Sequence, residues 1–250
     1  MNSLYESLLY GEIIAAALVF GLLFRLNAPY GRFHRVGWGL SISARWAWFI
    51  QEFPAFATIL VIFIVYADSK SIVNWIFLIL WEVHYIQRTF VYPFRLGKGS
   101  KPYPLLLVLM AVIFNLMNGF VNGYYLFELT SYSAAWLYDP RFITGTILFI
   151  AGFVINKNAD KYLRNLKSNS GGGYGLPEGG LFRWISSPHY FGEIIEWTGW
   201  AILTWSLPGL AFAVFTFANL APRAWAHHRW YRQTFSNYPR KRKALIPFLW

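Results

Sequence analysis

Two short stretches place ionisable side chains in otherwise apolar sequence. Residues 46–56 read "WAWFIQEFPAF", in which Gln51 and Glu52 stand among aromatic and aliphatic residues, and residues 81–85 read "WEVHY". A charged group in apolar surroundings is costly unless it is paired or faces water, so such groups are usually kept for a function. The alternative is a polar contact between helices. Other polar residues to which both interpretations apply are Asn115, Asn118, Asn122, Glu193 and Glu196.

Two further groups of polar residues have the i, i+4, i+8 spacing that places side chains on one face of a helix. They are Asn156, Asp160 and Arg164 in one segment, and Arg223, His227 and Tyr231 in another. Guanidinium, imidazole, hydroxyl and amide groups together suit a ligand with phosphates and sugar hydroxyls. A basic and aromatic belt at a membrane interface has the same composition, so both interpretations stay open.

The composition is that of a membrane protein. Of the 250 residues, 56% are hydrophobic and 13% are charged, whereas about a quarter of a soluble domain is charged. Seven apolar stretches have about the length that crosses a hydrocarbon core of about 30 Å. They cover residues 4–24, 46–67, 72–94, 103–127, 141–163, 187–206 and 208–230. We therefore predict an all-α fold, an integral membrane bundle of seven transmembrane helices that forms a single domain over residues 1–250.

The basic residues predict the orientation of this bundle. Nearly all of the 22 Lys and Arg residues follow the first, third, fifth or seventh stretch, and only Lys70 and Arg141 lie on the other side. Cytoplasmic segments of membrane proteins are rich in Lys and Arg, so the N-terminus is expected outside and the C-terminus in the cytoplasm. This placement explains the net charge of +11 without a nucleic-acid partner. We expect a multi-pass protein of the inner membrane in a bacterium, or of the endoplasmic reticulum in a eukaryote.

Two other kinds of site are not favoured by the sequence. The five histidines lack the spacing of a zinc site, and no metal is expected. Residues 168–182 read "SNSGGGYGLPEGGLF", but no predicted strand precedes these glycines, as a dinucleotide-binding Rossmann motif requires. The segment is either a plain loop or a backbone that approaches a ligand closely.

Six segments carry a resemblance to a known family. They are "ARWAWFIQEFPAF", "VHYIQRTFVYPF", "KPYP", "GGLFRWISSPHYFGEIIEWTGWA", "TWSLP" and "RAWAHHRWYRQTFSNYPRKRKALIPFLW". From about residue 28 onward the chain resembles the 3-oxo-5α-steroid 4-dehydrogenase (steroid 5α-reductase) family, and the likeness is closest to its type 2 branch. The resemblance implies NADPH-dependent reduction of the Δ4 double bond of a 3-oxo-Δ4-steroid to a 5α-dihydrosteroid, by a protein expected to be a monomer.

The resemblance also implies which residues act on the steroid. A hydride adds to the β-carbon of an enone only if the carbonyl oxygen can take up negative charge, which hydrogen-bond donors at that oxygen allow. Tyr85 and a neutral Glu52 are implied as these donors, with Gln51 as their neighbour. Trp48 and Phe114 are implied to pack on the steroid, which would enter from the lipid.

The resemblance also implies the residues of the cofactor site, and they include both groups of polar residues with i, i+4, i+8 spacing. The implied NADPH-binding residues are Tyr30, Arg88, Tyr92, Lys101, Asn156, Asp160, Arg164, Lys167, His189, Glu193, Trp197, Arg223, His227 and Tyr231. Three positions depart from the vertebrate type 2 pattern, because His189 replaces an asparagine and Gly175 and Met110 replace arginines. These departures bear on cofactor affinity and on substrate preference.

Three alternatives remain at the level of sequence. The first is a reductase of another α,β-unsaturated lipid, such as a polyprenal or an enoyl thioester. The second is a membrane methyltransferase of the isoprenylcysteine type, which would use S-adenosylmethionine and would leave Gln51 and Glu52 without a role. The third is a sterol-binding or lipid-sensing protein without catalytic activity.

Overall fold

The computed structural model describes residues 3–67, 71–97, 100–170 and 173–250, and within these ranges it is almost entirely helical. The seven α-helices are α1 (Ser3–Arg25), α2 (Ala44–Tyr66), α3 (Ile72–Ile86), α4 (Leu105–Tyr124), α5 (Pro140–Asn169), α6 (Pro188–Thr204) and α7 (Leu207–Thr234). Five-residue π-helical turns, Gln87–Val91 and Tyr125–Leu129, extend α3 and α4. Short 3-10 helices cover Gly31–Phe33, Pro93–Arg95, Ala134–Tyr138 and Gly180–Arg183. Strands β1 (Ser41–Ile42) and β2 (Tyr103–Pro104) pair antiparallel, with Ser41 opposite Pro104.

The all-α prediction is confirmed, and each predicted apolar stretch coincides with one helix. Among the described residues, four helices are long and apolar enough to cross a membrane, namely α1, α2, α5 and the continuous segment Leu105–Leu129. The helix α3 has 15 residues before its π-helical turn, α6 has 17, and the second half of α7 is rich in Arg and His. That these three helices also cross the bilayer stays a prediction, as does the orientation of the termini. Lys70, Gly171 and Gly172 lie outside the described residues.

Short polar side chains begin several of the helices. The Ser71 side chain accepts a hydrogen bond from the backbone N–H of Asn74 (3.2 Å), and Asp139 accepts one from that of Arg141 (2.8 Å). Such caps satisfy backbone donors that have no partner within the helix. Between α6 and α7 only Trp205 and Ser206 intervene, and Trp205 adopts the left-handed conformation (φ 44°). This two-residue turn separates the helices that correspond to the sixth and seventh apolar stretches.

The asparagines of α4 join neighbouring helices. The Asn115 amide donates to the backbone carbonyl of Gln51 in α2 (2.6 Å), and Asn122 accepts a hydrogen bond from the indole of Trp200 in α6 (3.0 Å). Asn122 also donates to Asn118 one turn earlier (2.8 Å). In a bilayer these bonds satisfy groups that have no water to bind. These contacts hold α4 against the helices that carry the ionisable residues.

The closest helix contact lies between α5 and α6, where four glycines meet. A β-carbon on Gly192 would lie 2.5 Å from the backbone nitrogen of Asn156, and one on Gly199 would lie 2.6 Å from the carbonyl oxygen of Gly145. A β-carbon on Gly152 would meet the backbone nitrogen of Glu196. Real β-carbons do not approach other atoms this closely, so only glycine fits. Small residues at an interface let membrane helices pack backbone to backbone.

Gly152→Ala would place one extra methyl group against the backbone of α6. Overpacking a fitted contact costs about 1–3 kcal/mol, so we expect the midpoint of thermal unfolding in detergent to fall by several degrees. Gly11→Ala in α1 is the matched control, because nothing lies within 4 Å of its added carbon. Equal midpoints for the two variants would contradict a backbone-to-backbone contact between α5 and α6.

Candidate active site

A cavity of about 1450 Å³ lies within the bundle and receives side chains from all seven long helices. Clefts that hold one drug-sized molecule are usually about 300–1,000 Å³. The cavity therefore has room for more than one ligand. Its charged residues come mainly from the second half of α5 and from the segments before α2 and after α3, whereas the interiors of α1 and α4 contribute mostly apolar side chains.

Glu52 and Tyr85 face this cavity from α2 and α3. The Gln51 amide donates a hydrogen bond to Oε1 of Glu52 (3.1 Å), which leaves Oε2 of Glu52 for the cavity. Tyr85 is 3% exposed, and its hydroxyl makes no hydrogen bond with the described residues. A carboxyl and a phenol group are therefore available to a polar atom of a ligand that binds in the cavity.

Aromatic rings form the wall beside these two groups. The Phe114 ring of α4 stacks on Phe215 of α7, with 3.8 Å between ring centroids. Trp197 of α6 packs on Phe212 of α7 at 4.3 Å, and Trp197 is 5.9 Å from the Tyr85 ring. All of these residues line the cavity, so a flat apolar molecule could pack against their aromatic rings.

Arg88 connects three elements around the cavity. Its guanidinium lies over the ring of Trp48 (4.6 Å) and over that of Tyr92 (5.1 Å). One guanidinium nitrogen is 3.8 Å from the carboxylate of Asp160 in α5. The guanidinium of Arg164 also lies over the ring of Tyr92, at 5.8 Å from its centroid. Arginine is suited to this position because it stacks on rings and bridges to anions at the same time.

Asn156 joins α5 to the first turns of α6. Its amide donates to the backbone carbonyl of His189 (3.0 Å) and to the carboxylate of Glu193 (3.1 Å). The close approach of Gly192 to the Asn156 backbone makes both bonds possible. Three groups with amide, imidazole and carboxylate chemistry thus converge on one side of the cavity.

Tyrosines hold the α7 side of the cavity. The Arg223 guanidinium lies 5.2 Å from the ring of Tyr30, which stacks on Tyr103 of β2 at 4.4 Å. Burial, with the neighbouring Tyr30, raises the pKa of Tyr103 well above its usual value, so that Tyr103 stays neutral. Arg32 donates to the Tyr231 hydroxyl (3.0 Å).

Several nitrogen atoms around the cavity are buried and have no hydrogen-bond partner among the described residues. They are Nε of Arg223, Nη1 of Arg164, Nη1 of Arg32, and Nδ1 of His189 and of His227. Buried polar atoms in proteins are almost always paired. Guanidinium and imidazole groups left in this way fit a ligand that carries phosphates and other acceptors.

Every residue that the sequence analysis assigned to catalysis, to the cofactor or to the steroid lines this one cavity. Gly175 and Met110, which depart from the family pattern, line it too. The structure brings these side chains together, while their individual roles stay predictions. The carboxyl group of Glu82 does not line the cavity, and its two oxygens are buried without a hydrogen-bond partner in the described part of the chain.

Sequence reasoning missed two features of the site. Arg32 stacks between Tyr174 (5.0 Å) and Trp230 (4.5 Å), although these residues are far apart along the chain. His84 was noted only as a polar residue in an apolar stretch, and the structure pairs it with Glu196. The only sequence signal for Arg32 was its position in a basic segment close to Tyr30.

Comparison with known proteins identifies the family. The family model described as 3-oxo-5-alpha-steroid 4-dehydrogenase matches residues 101–250. The chain is 42% identical to 3-oxo-5-alpha-steroid 4-dehydrogenase 1 of Bos taurus, covering 98% of this chain and 97% of the relative, and 41% identical to that of Homo sapiens, covering 98% and 95%. It is 39% identical to the steroid 5-alpha-reductase DET2 of Arabidopsis thaliana, covering 92% and 90%.

These relatives confirm the resemblance and the prediction of an enzyme, whereas the closer likeness to the type 2 branch stays a prediction. The part matched by the family model includes the cavity-lining residues of α4, α5, α6 and α7. The chain belongs to the 3-oxo-5-alpha-steroid 4-dehydrogenase family.

Proposed function

We propose that this protein reduces the Δ4 double bond of 3-oxo-Δ4-steroids to 5α-dihydrosteroids with NADPH, as a single domain over residues 1–250. The observation that carries the proposal is the shared cavity. Glu52 and Tyr85 face the same space as a set of unpaired basic donors. Two of the relatives are named as 3-oxo-5-alpha-steroid 4-dehydrogenases and another as a steroid 5-alpha-reductase.

The carboxyl and phenol groups suit the carbonyl end of the steroid. Reduction of an enone moves negative charge onto the carbonyl oxygen, and donors held in a dry site stabilise that charge strongly. Tyr85 has a free hydroxyl, and Glu52 donates through Oε2 when it is protonated. Gln51 fixes the other oxygen of Glu52 and thereby its orientation. A neutral acid also avoids the cost of a charge in apolar surroundings.

The polar part of the cavity suits NADPH. The unpaired guanidinium nitrogens of Arg223, Arg164 and Arg32 would hold phosphate groups. The group of Asn156, His189 and Glu193 offers donors and acceptors for the nicotinamide amide. When bound, NADPH supplies the hydride. The aromatic and arginine contacts around Arg88 and Tyr92 would keep water from the reacting end.

The apolar side of the cavity supports entry of the steroid from lipid. Leu22 of α1 and Met110 and Ile113 of α4 line the cavity and are 54%, 56% and 67% exposed. The cavity is therefore bordered at α1 and α4 by exposed apolar side chains. We propose that the steroid enters here, and that NADPH enters from the cytoplasm, on the side of the C-terminus, with the N-terminus outside.

Glu52→Gln should lower the turnover of progesterone by about 10²–10³-fold, because a donor to the developing oxyanion loses its acidic proton. The dissociation constant for NADPH, followed by quenching of tryptophan fluorescence, should change little. Glu128→Gln, an exposed acid outside the cavity, is the matched control. Near-normal turnover of Glu52→Gln, measured by chromatography and mass of the product, would remove Glu52 from the reaction.

Arg223→Ala should weaken NADPH binding by about 10–100-fold, the effect of losing a charge-assisted hydrogen bond. Arg229→Ala is the matched control, since Arg229 lies on the same helix but is exposed and outside the cavity. The measurement is the dissociation constant from fluorescence titration of both variants. If both bind NADPH as tightly as the wild type, Arg223 has no part in the phosphate site.

A further inference from the structure

A buried pair of ionisable residues lies beside the groups that face the carbonyl end of the cavity. His84 Nδ1 is 2.7 Å from Oε1 of Glu196, and the two side chains are 4% and 0% exposed. The pair joins α3 to α6, and the His84 ring lies 5.0 Å from the ring of Tyr85. The Trp197 ring, 4.6 Å from His84, covers it from α6.

The two nitrogens of the His84 ring meet different surroundings. Nδ1 points to Glu196, which does not line the cavity, whereas His84 does line it. Nε2 lies on the opposite edge of the ring and is not among the buried atoms without a partner. Nε2 is therefore the atom that His84 presents to the cavity.

The surroundings of Glu196 favour an uncharged pair. Glu196 is completely buried, and its Oε2 has no hydrogen-bond partner among the described residues. A buried ion pair is stable only if its remaining acceptors are also satisfied. With the proton on Oε1, Glu196 donates to Nδ1 of a neutral imidazole, and the ring proton then resides on Nε2. His84 therefore presents an Nε2–H donor to the cavity, and Glu196 holds a second proton that can pass to Nδ1.

We propose that His84 is the catalytic acid that protonates C4 of the steroid and that Glu196 is the positioning residue that holds His84 and resupplies its proton. The proposal rests on the proposed function. Glu52 and Tyr85 are engaged at the carbonyl oxygen, so the neighbouring carbon needs a separate acid. The His84 and Tyr85 rings lie 5.0 Å apart and both line the cavity, and C4 is bonded to the carbonyl carbon, so His84 is placed to serve the atom next to the group that Tyr85 serves.

Once the hydride has bonded to C5, the electrons of the C4=C5 double bond belong to an enolate across the carbonyl oxygen, C3 and C4. Collapse of the enolate restores C3=O and forms a C4–H bond with the proton from Nε2, while Nδ1 takes the proton from Oε1 of Glu196. The imidazole stays neutral and Glu196 becomes a carboxylate. When the product leaves, water in the cavity returns a proton to Nε2, and Nδ1 gives its proton back to Oε1 of the buried Glu196.

His84→Gln and Glu196→Gln test this relay, because each keeps a hydrogen-bonding amide but cannot pass on a proton. We expect turnover of progesterone to fall by about 10²-fold or more in both, while KM and the NADPH dissociation constant stay within about twofold. The solvent deuterium isotope effect on kcat should rise above that of the wild type, because C4 protonation becomes rate-limiting. His34→Gln, the same exchange at a histidine outside the cavity, is the matched control.

A purely structural role predicts a different pattern. If the pair only held Tyr85 in place, Glu196→Gln would keep the contact and turnover, and any loss in His84→Gln would be in the hydride step. That loss would appear as a larger isotope effect with NADPH deuterated at the nicotinamide C4. Either result would overturn the relay. A wild type that binds NADPH but reduces no 3-oxo-Δ4-steroid would overturn the proposed function, and the relay with it.

Discussion

The backbone contact between α5 and α6 is the constraint on which the cavity depends. Glycines at positions 145, 152, 192 and 199 remove the side chains that would separate these helices. Because the helices touch, the Asn156 amide reaches the His189 carbonyl and the Glu193 carboxylate, and Glu196 turns toward α3. The polar side of the cavity therefore depends on a contact in which four glycines let the two backbones touch.

In apolar surroundings an ionisable group must either face the cavity or bind a partner. Most of the ionisable side chains in α2, α3, α5 and α6 meet this requirement. Glu52 is bound by Gln51, Arg88 lies between two aromatic rings and near Asp160, and His84 is paired with Glu196. A partner fixes each side chain, on the same helix for Glu52 and on other helices for Arg88 and His84, while leaving one polar atom for a ligand. The same pairs thus contribute to helix packing and keep the site ordered before a ligand binds.

The local pattern of apolar and polar residues in the sequence predicts much of this architecture. The features that it does not predict depend on contacts between residues far apart along the chain. Apolar length located the seven helices, and the i, i+4, i+8 spacing placed Asn156, Asp160 and Arg164 on the face of α5 that lines the cavity. By contrast, His84 and Glu196 are 112 residues apart, and Arg32 and Tyr231 are 199 apart, so no helical period relates them. The glycine contact was missed for the same reason, since each glycine is explained only by the backbone of the other helix.

The fate of the hydride tests the central claim most directly. Purified protein in detergent would be given progesterone and NADPH deuterated at the transferable position of the nicotinamide, and the product analysed by mass and NMR. We predict one deuterium per product molecule, at C5 on the α face, matched one to one by oxidised cofactor. Deuterium elsewhere, reduction on the β face, or NADPH binding without reduction of any 3-oxo-Δ4-steroid would contradict the account.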